Sequence, residues 1–314
     1  MRFDTVVVLA SPDSADLNMF SHPFKAPDGR WFVTPVGQEF QVGVFSEGGE
    51  LLRKFGGNVS EKESTAGIQA IAFLPGGHTA LLGQGLGYLY DSTQARLVAR
   101  KLDGVRPSAE RVVTLSDGRM LANSPYGPNA FVILDDSLRA VARFGPAGRD
   151  PDSLASLISP DRAGGFWTTR PCCQPVLWHY DSTLTVVDSV RVTSAWLDAP
   201  APSIKRSRSE GQDRRLPAAI IGIQFDRSTG LIWIAGRIPN PSPPVGSAAA
   251  FPHGVIEAID PATGEILARS NRPRAGTFTT TGELIQSVTD TLTGAISIPL
   301  LRPVPAEIVG RPQS

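Results

Sequence analysis

The feature that most constrains this chain is a unit of four short apolar runs between residues 19 and 57, because later stretches repeat its layout. It begins with Met19-Phe20-Ser21-His22-Pro23-Phe24, turns at Pro27-Asp28-Gly29, and continues with Trp31-Phe32-Val33. A third run, Val42-Gly43-Val44-Phe45, is followed by a turn at Glu47-Gly48-Gly49 and a fourth run, Leu51 to Phe55. Runs of four to six residues with period-two patterning, separated by turn residues that accept positive φ, describe an antiparallel four-stranded meander. One such meander cannot bury both of its faces alone, so it needs further copies of itself.

Two landmarks supply them. The first is a glycine turn after a strand: Asp28-Gly29, Gly76-Gly77, Asp117-Gly118, Gly164-Gly165, Thr229-Gly230 and Thr281-Gly282. The second is a polar turn after an apolar run: Phe45-Ser46-Glu47, Tyr90-Asp91-Ser92, Leu134-Asp135-Asp136, Tyr180-Asp181-Ser182 and Ile259-Asp260-Pro261. A recurrence every ~40–50 residues with near-constant internal spacing marks the blades of a propeller. The expectation is an all-β, six-bladed β-propeller of four-stranded antiparallel blades in a single domain spanning residues 1–314.

The expected blades cover residues 19–57, 68–102, 111–145, 154–193, 220–270 and 275–300. The last blade is short of a strand. Its third run ends near Ile298, and Pro299, Pro303 and Pro305 follow; proline cannot donate to a ladder, so a fourth strand there would be poor. Residues 5–10 (Thr5 to Ala10) form a strand that blade one does not need. Pairing it onto blade six closes the ring and removes the open edge between first and last blades. Two stretches break the regularity, 194–217 and 237–253, both rich in proline and without strand or helix patterning, and both read as long loops.

Composition narrows the function classes. Thirty Lys and Arg balance thirty Asp and Glu, which argues against a nucleic-acid binder with its basic stripe. The high Gly and Pro content is spread at turn spacings and is not low complexity. The two cysteines, Cys172 and Cys173, are adjacent and make no disulfide framework. No stretch approaches the ~20 apolar residues of a membrane span. Residues 1–9 place Asp4 where a signal peptide has its apolar segment, so the protein is expected in the cytoplasm, or in the periplasm or medium if a signal was removed. A monomer is expected.

Alternation of strands A to D, inner to outer, assigns the connections to faces. The A–B and C–D turns share one face and are short. The B–C and D–A connections share the other, which receives both long insertions, so that face is the expected binding face. It also collects Gln84, Tyr126, Arg170, Arg237, His253, Arg272 and Arg274, whose arginines could hold an anion by paired hydrogen bonds. His22 reads as a core histidine of an innermost strand and His179 as a packed residue of an outer one. No nucleophile elbow, zinc helix motif, phosphate loop or calcium loop is present, and the innermost strands carry almost no carboxylate, so no catalytic residue, metal ligand or cofactor is assigned.

The succession strand, Pro-Asp-Gly, strand, gap, Val-Gly-Val-Phe-Ser-Glu-Gly-Gly-Glu-Leu-Leu-Arg-Lys-Phe-Gly resembles an NHL-type blade. The chain as a whole is similar to bacterial six-bladed β-propeller proteins of that group. The Asp and Asn that usually follow the second strand of such repeats are replaced here, Val33 being followed by Thr34-Pro35. The resemblance implies a secreted or periplasmic location and a ligand- or protein-binding role; with the residues above, the expectation is a non-catalytic propeller that binds a protein or a small anionic ligand on its loop-rich face. The alternative it leaves is a lactonase-like hydrolase or a lyase, with a site at the axial mouth of that face.

Overall fold

A computed structural model describes residues 1–10, 20–35, 41–56, 68–83, 85–102, 112–123, 129–145, 157–170, 175–197, 218–238, 253–272, 275–285, 288–289 and 296–304. Every element among them is a β-strand except one 3-10 turn at Pro75–Gly77. The strands form six sheets, each an antiparallel meander.

Blade one is β2 (Phe20–Lys25), β3 (Trp31–Pro35), β4 (Val42–Phe45) and β5 (Leu51–Phe55). Blade two is β6 (Ile68–Phe73), β7 (Thr79–Gly83), β8 (Leu86–Tyr90) and β9 (Arg96–Lys101). Blade three is β10 (Val112–Thr114), β11 (Met120–Asn123), β12 (Phe131–Leu134) and β13 (Ala140–Phe144). Blade four is β14 (Leu157–Pro160), β15 (Phe166–Thr169), β16 (Val176–Tyr180) and β17 (Val186–Arg191). Blade five is β18 (Ala219–Phe225), β19 (Ile232–Ile238), β20 (His253–Ile259) and β21 (Ile266–Arg272).

Blade six combines both ends of the chain. Its inner strands are β22 (Thr277–Phe278), β23 (Leu284–Ile285) and β24 (Val288–Thr289), and its third is β25 (Ile296–Val304). Its outermost strand is β1 (Arg2–Leu9), which runs antiparallel to β25 from Arg2↔Val304 to Leu9↔Ile298. The expected closure is present, and β1 starts three residues earlier than the patterning indicated.

The prolines correct one detail. Pro299 and Pro303 do not end the third strand but lie within it, opposite Val8 and Phe3. On its inner side β25 pairs through Ser297 and Ile296 with β24, and through Leu301 and Leu300 with β23. Among the described residues both prolines therefore fall where the inner ladder has no partner, which is how a third strand tolerates them.

The C–D turns explain why their sequences look alike. In Asp91, Asp135 and Asp181 one carboxylate oxygen accepts the backbone N–H groups two and four residues on and the hydroxyl of Thr93, Ser137 or Thr183. The Thr93 and Thr183 hydroxyls, joined by those N–H groups, hold the Asp91 and Asp181 carboxyls below the ordinary range. The fourth turn residue adopts positive φ: Gln94 at 67°, Leu138 at 63°, Leu184 at 66°, and glycine at Gly49; the blade-five turn is one residue longer and has Gly264 at its fifth position. Blade one requires glycine because β1 passes alongside, and a β-carbon on Gly49 would collide with the Val8 carbonyl.

The core lies between blades. Phe32 meets Phe55 and Phe73 edge-on, and Phe55 meets Tyr90, joining blades one and two. Phe166 stacks on Tyr180 at 4.7 Å, and both pack on Phe131 and Phe144 to join blades three and four. Trp196, just past blade four, is packed with Ile234 and Val255 of blade five. At the closure, Val7 and Leu9 of β1 are buried with Trp31, Val33 and Phe45 of blade one and Ile285, Ile298 and Leu300 of blade six.

Deleting residues 1–10 exposes the β25 edge and strips two buried side chains from that cluster, at about 1.5–3 kcal/mol each. The truncated protein should melt at least about 5 °C lower, or aggregate, as read by differential scanning fluorimetry and light scattering. An unchanged, monomeric melt would contradict closure by β1.

His22 of β2 is 3 % exposed and packs on Phe24 at 5.0 Å. Burial disfavours its cation and lowers its pKa to about 3. The unfolded chain takes up a proton near pH 6.5 that the folded chain refuses, so stability falls as pH drops from about 6.5 toward 3, by up to about 1.4 kcal/mol per pH unit from this group. His22→Gln should flatten the pH dependence of urea unfolding between pH 6 and 4. An unchanged slope would show that another group carries it.

Candidate functional site

The innermost strands β2, β6, β10, β14, β18 and β22 surround the axis. Hydroxyl-bearing side chains bind neighbouring ones together: Thr114 Oγ1 donates to the Phe73 carbonyl at 3.0 Å and Thr277 Oγ1 to the Ile221 carbonyl at 3.1 Å. The Phe225 N–H donates to Ser159 Oγ at 2.7 Å. These bonds tie blade three to two, six to five and five to four, and they set the spacing of the strand ends.

At their A–B ends the strands leave a cavity of about 800 Å³ to which all six blades contribute. Its floor is apolar, with Ile71, Phe73, Val112 and Pro160, and its rim carries Lys25, Asp28, Glu47, Arg227, Thr280 and Thr281. Asp28 is gripped by Arg30, 2.8 Å from Nε and 2.6 Å from Nη2, which keeps its carboxyl below the ordinary range. Lys25 Nζ lies 5.3 Å over the Trp31 ring and 4.0 Å from Glu47.

A second cavity of about 570 Å³ opens between blades five and six and shares Pro160, Arg227, Thr280 and Thr281 with the first. Asp226 and Trp233 line it. Burial alone would raise the Asp226 carboxyl, but hydrogen bonds from Ser228, Thr229 and Trp233 outweigh it and hold it low. The two cavities adjoin at these four shared residues, and each is of the size of ligand sites.

Glu283 supports the blade-six side. It is 1 % exposed, accepts the Thr279 and Thr281 hydroxyls at 2.5 and 2.6 Å, and faces Arg302 at 3.3 Å. The turn it anchors presents Thr280 to the recess. Glu283→Ala leaves two hydroxyls and a guanidinium without their buried acceptor and should cost about 3 kcal/mol in urea unfolding. Thr280→Ala should change stability by less than about 0.5 kcal/mol; equal costs would show that Glu283 does not hold the turn.

Of the residues singled out by sequence, Arg237, His253 and Arg272 are brought together at one end of blade five. His253 lies opposite Ile238, and Gly254 sits between Arg237 and Arg272 in register. Arg272 places its guanidinium 4.4 Å over the Phe3 ring of β1, and burial lowers its pKa from the ordinary value. Arg170 follows β15 on blade four with its guanidinium 5.6 Å over the Trp178 ring. Gln84, Tyr126, Arg274, Cys172 and Cys173 lie outside the described residues, as do residues 198–217 and 239–252 of the two insertions.

His179 is tied to Asp161, Nε2 to Oδ2 at 2.7 Å, and stacks on Trp167 at 4.4 Å. Asp161 Oδ1 accepts the Ala163 and Gly165 N–H groups, so the pair fastens the A–B turn of blade four to its third strand. Among the described residues no three His, Cys, Asp or Glu side chains gather as a metal site would need, and no helix is long and apolar enough to cross a membrane.

Sequence reasoning missed the recess because the short A–B turns read as trimmed. The available signal was their position: Asp28-Gly29, Arg227 and Thr280-Thr281 each follow an innermost strand, so a ring places them around one opening.

No known family model and no curated protein sequence matches the chain. Among solved structures it is similar to the Neurospora crassa Pan2 WD40 domain, with 13% identity, a TM-score of 0.53, and coverage of 96% of this chain and 86% of that one. A chain in the crystal structure of the Mitotic Checkpoint Complex is similar at 13% identity and a TM-score of 0.50, over 96% of this chain and 93% of that one. A protein of unknown function from Bacteroides caccae gives 10% identity and a TM-score of 0.46, over 84% and 80%. The first two likenesses are ones of propeller fold.

Proposed function

We propose that this protein is a non-catalytic binding propeller that seats its ligand or protein partner in the axial recess of the A–B face. The observation that carries the reading is the recess itself, about 800 Å³ and lined from all six blades. Of its rim groups, Asp28 is held by the neighbouring Arg30, and Lys25 faces Glu47. Recognition by pre-placed charges over an apolar floor suits such a lining, whereas general acid–base work needs a group held within reach of a reacting atom and with its pKa near the operating pH. The turn chemistry of blade one supports an NHL-like origin of the repeat.

A second reading keeps binding on the B–C/D–A face. Its support is the clustering of Arg237, His253 and Arg272 at that end of blade five and the two long insertions that the sequence directs there.

The two are separated by capture from a cell extract with three immobilised proteins. One is unaltered, one carries Arg227→Glu with Thr280→Trp, and one has residues 198–217 and 239–252 replaced by short Gly/Ser linkers, a change that costs little closure entropy. The recess reading expects the captured partner to be lost by the double variant and kept by the linker variant. The reverse pattern establishes the second reading, and retention by both variants overturns each.

A further inference from the structure

Where the two cavities adjoin, two polar side chains stand uncommitted. The polar groups around them are in use. Asp28 is held by Arg30, Lys25 faces Glu47, and the Thr281 hydroxyl donates to Glu283. Arg227 and Thr280 line both cavities, and neither side chain has a hydrogen bond or ion pair to another described residue.

The turns explain this. Arg227 and Thr280 are the second residues of the A–B turns of blades five and six. Five of the six A–B turns close from the first N–H to the carbonyl four residues on, as Ala26 does to Arg30; that of blade five closes five residues on, from Asp226 to Leu231. In blades one and three the turn's aspartate grips the turn's arginine, Asp28 to Arg30 and Asp117 to Arg119. In blade five Asp226 instead accepts the Ser228 and Thr229 hydroxyls, both at 2.7 Å, and Arg227 is left exposed. Partly exposed apolar surface accompanies it: Pro160 in both cavities, Phe225 in the smaller and Phe73 in the larger. Blade two, which bears Phe73, stands opposite blade five in the ring.

We infer that the adjoining cavities take an elongated monocarboxylate, with its carboxylate on Arg227 and Thr280 and its hydrocarbon body crossing the axis toward Phe73. The inference rests on the recess reading above and names its ligand class. Arg227 offers a paired donor fork and Thr280 a hydroxyl, so the group that satisfies both is an anionic acceptor. A monoanion suits the space better than a dianion because the carboxylates of Asp226 and Glu47 also line it. A short acid reaches only Pro160 and Phe225, whereas a longer one also covers Phe73.

The test is isothermal titration of the full chain with 4-phenylbutyrate, acetate, 4-phenylbutan-1-ol and 4-phenylbutyl phosphate. 4-Phenylbutyrate should bind saturably at one site, about tenfold or more tighter than acetate or the alcohol, and no more weakly than the phosphate. Arg227→Gln should weaken it by about tenfold or more and Thr280→Val by about threefold or more. Neither side chain holds the fold together, so melting curves of both variants should match that of the unaltered protein. Arg162→Gln is the control: this exposed arginine follows Asp161 as Arg227 follows Asp226 but belongs to neither lining, and its loss should leave the affinity unchanged. Absence of saturable binding at millimolar 4-phenylbutyrate overturns the inference, as does unchanged affinity in Arg227→Gln or equal weakening by Arg162→Gln. Equal binding of acetate overturns the apolar body, and tighter binding of the phosphate overturns the monoanion. The capture experiment separates the two readings. A partner lost by Arg227→Glu with Thr280→Trp, with no 4-phenylbutyrate bound by the unaltered chain, keeps the recess reading and removes only its ligand class. A partner kept by that variant, with 4-phenylbutyrate binding that Arg227→Gln weakens, keeps the carboxylate site and removes the recess as the partner's seat.

Discussion

The pairing of β1 with β25 is the interaction on which the rest of the structure depends. Five meanders in a row have sheet faces to cover at both ends, and only a ring supplies each blade with two neighbours. The ring closes because a strand from the start of the chain completes a sheet begun near its end. Ala10 then continues into blade one, where its N–H donates to the Gly49 carbonyl and its carbonyl accepts from Leu51. Gly49 is a consequence of that passage. The equivalent turns of blades two, three and four, which no strand crosses in this way, use Gln94, Leu138 and Leu184 at the same positive φ.

Closure also converts a linear repeat into a central opening. The hydroxyls of Thr114, Ser159 and Thr277 bridge successive innermost strands, and the width they set leaves the recess at the A–B ends. Residues from blades one, three, four, five and six that no linear argument would group, such as Lys25, Thr114, Pro160, Arg227 and Thr280, thereby share one lining. The same closure leaves the outer strands facing away from the axis.

Carboxylates in this fold act mainly on the backbone. Asp91, Asp135 and Asp181 close C–D turns, Asp161 fastens a turn to His179, and Glu283 anchors the turn that bears Thr280. Glu257, wholly buried in β20, accepts the Ser194 hydroxyl at 2.8 Å across 63 residues. It is thus the one acid of these that ties a residue past the end of blade four to blade five. These groups are committed to structure, and the charges around the recess are those of Lys25, Asp28, Glu47 and Arg227.

Strand positions, turn chemistry and blade number were legible in the sequence because each is a local property. Period-two runs such as Ile68–Phe73, and Asp followed by Ser or Thr after an apolar run, report backbone pairing within about ten residues of themselves. The spare strand at the start was legible for the same reason, as a run with no partner nearby. Only the tertiary structure decided what lay between distant residues. It placed Pro299 and Pro303 inside β25, where gaps in the inner ladder excuse their missing donors. It also opened the recess on the short-turn face, because a cavity is set by how strand ends diverge around an axis and not by the length of the loops that join them.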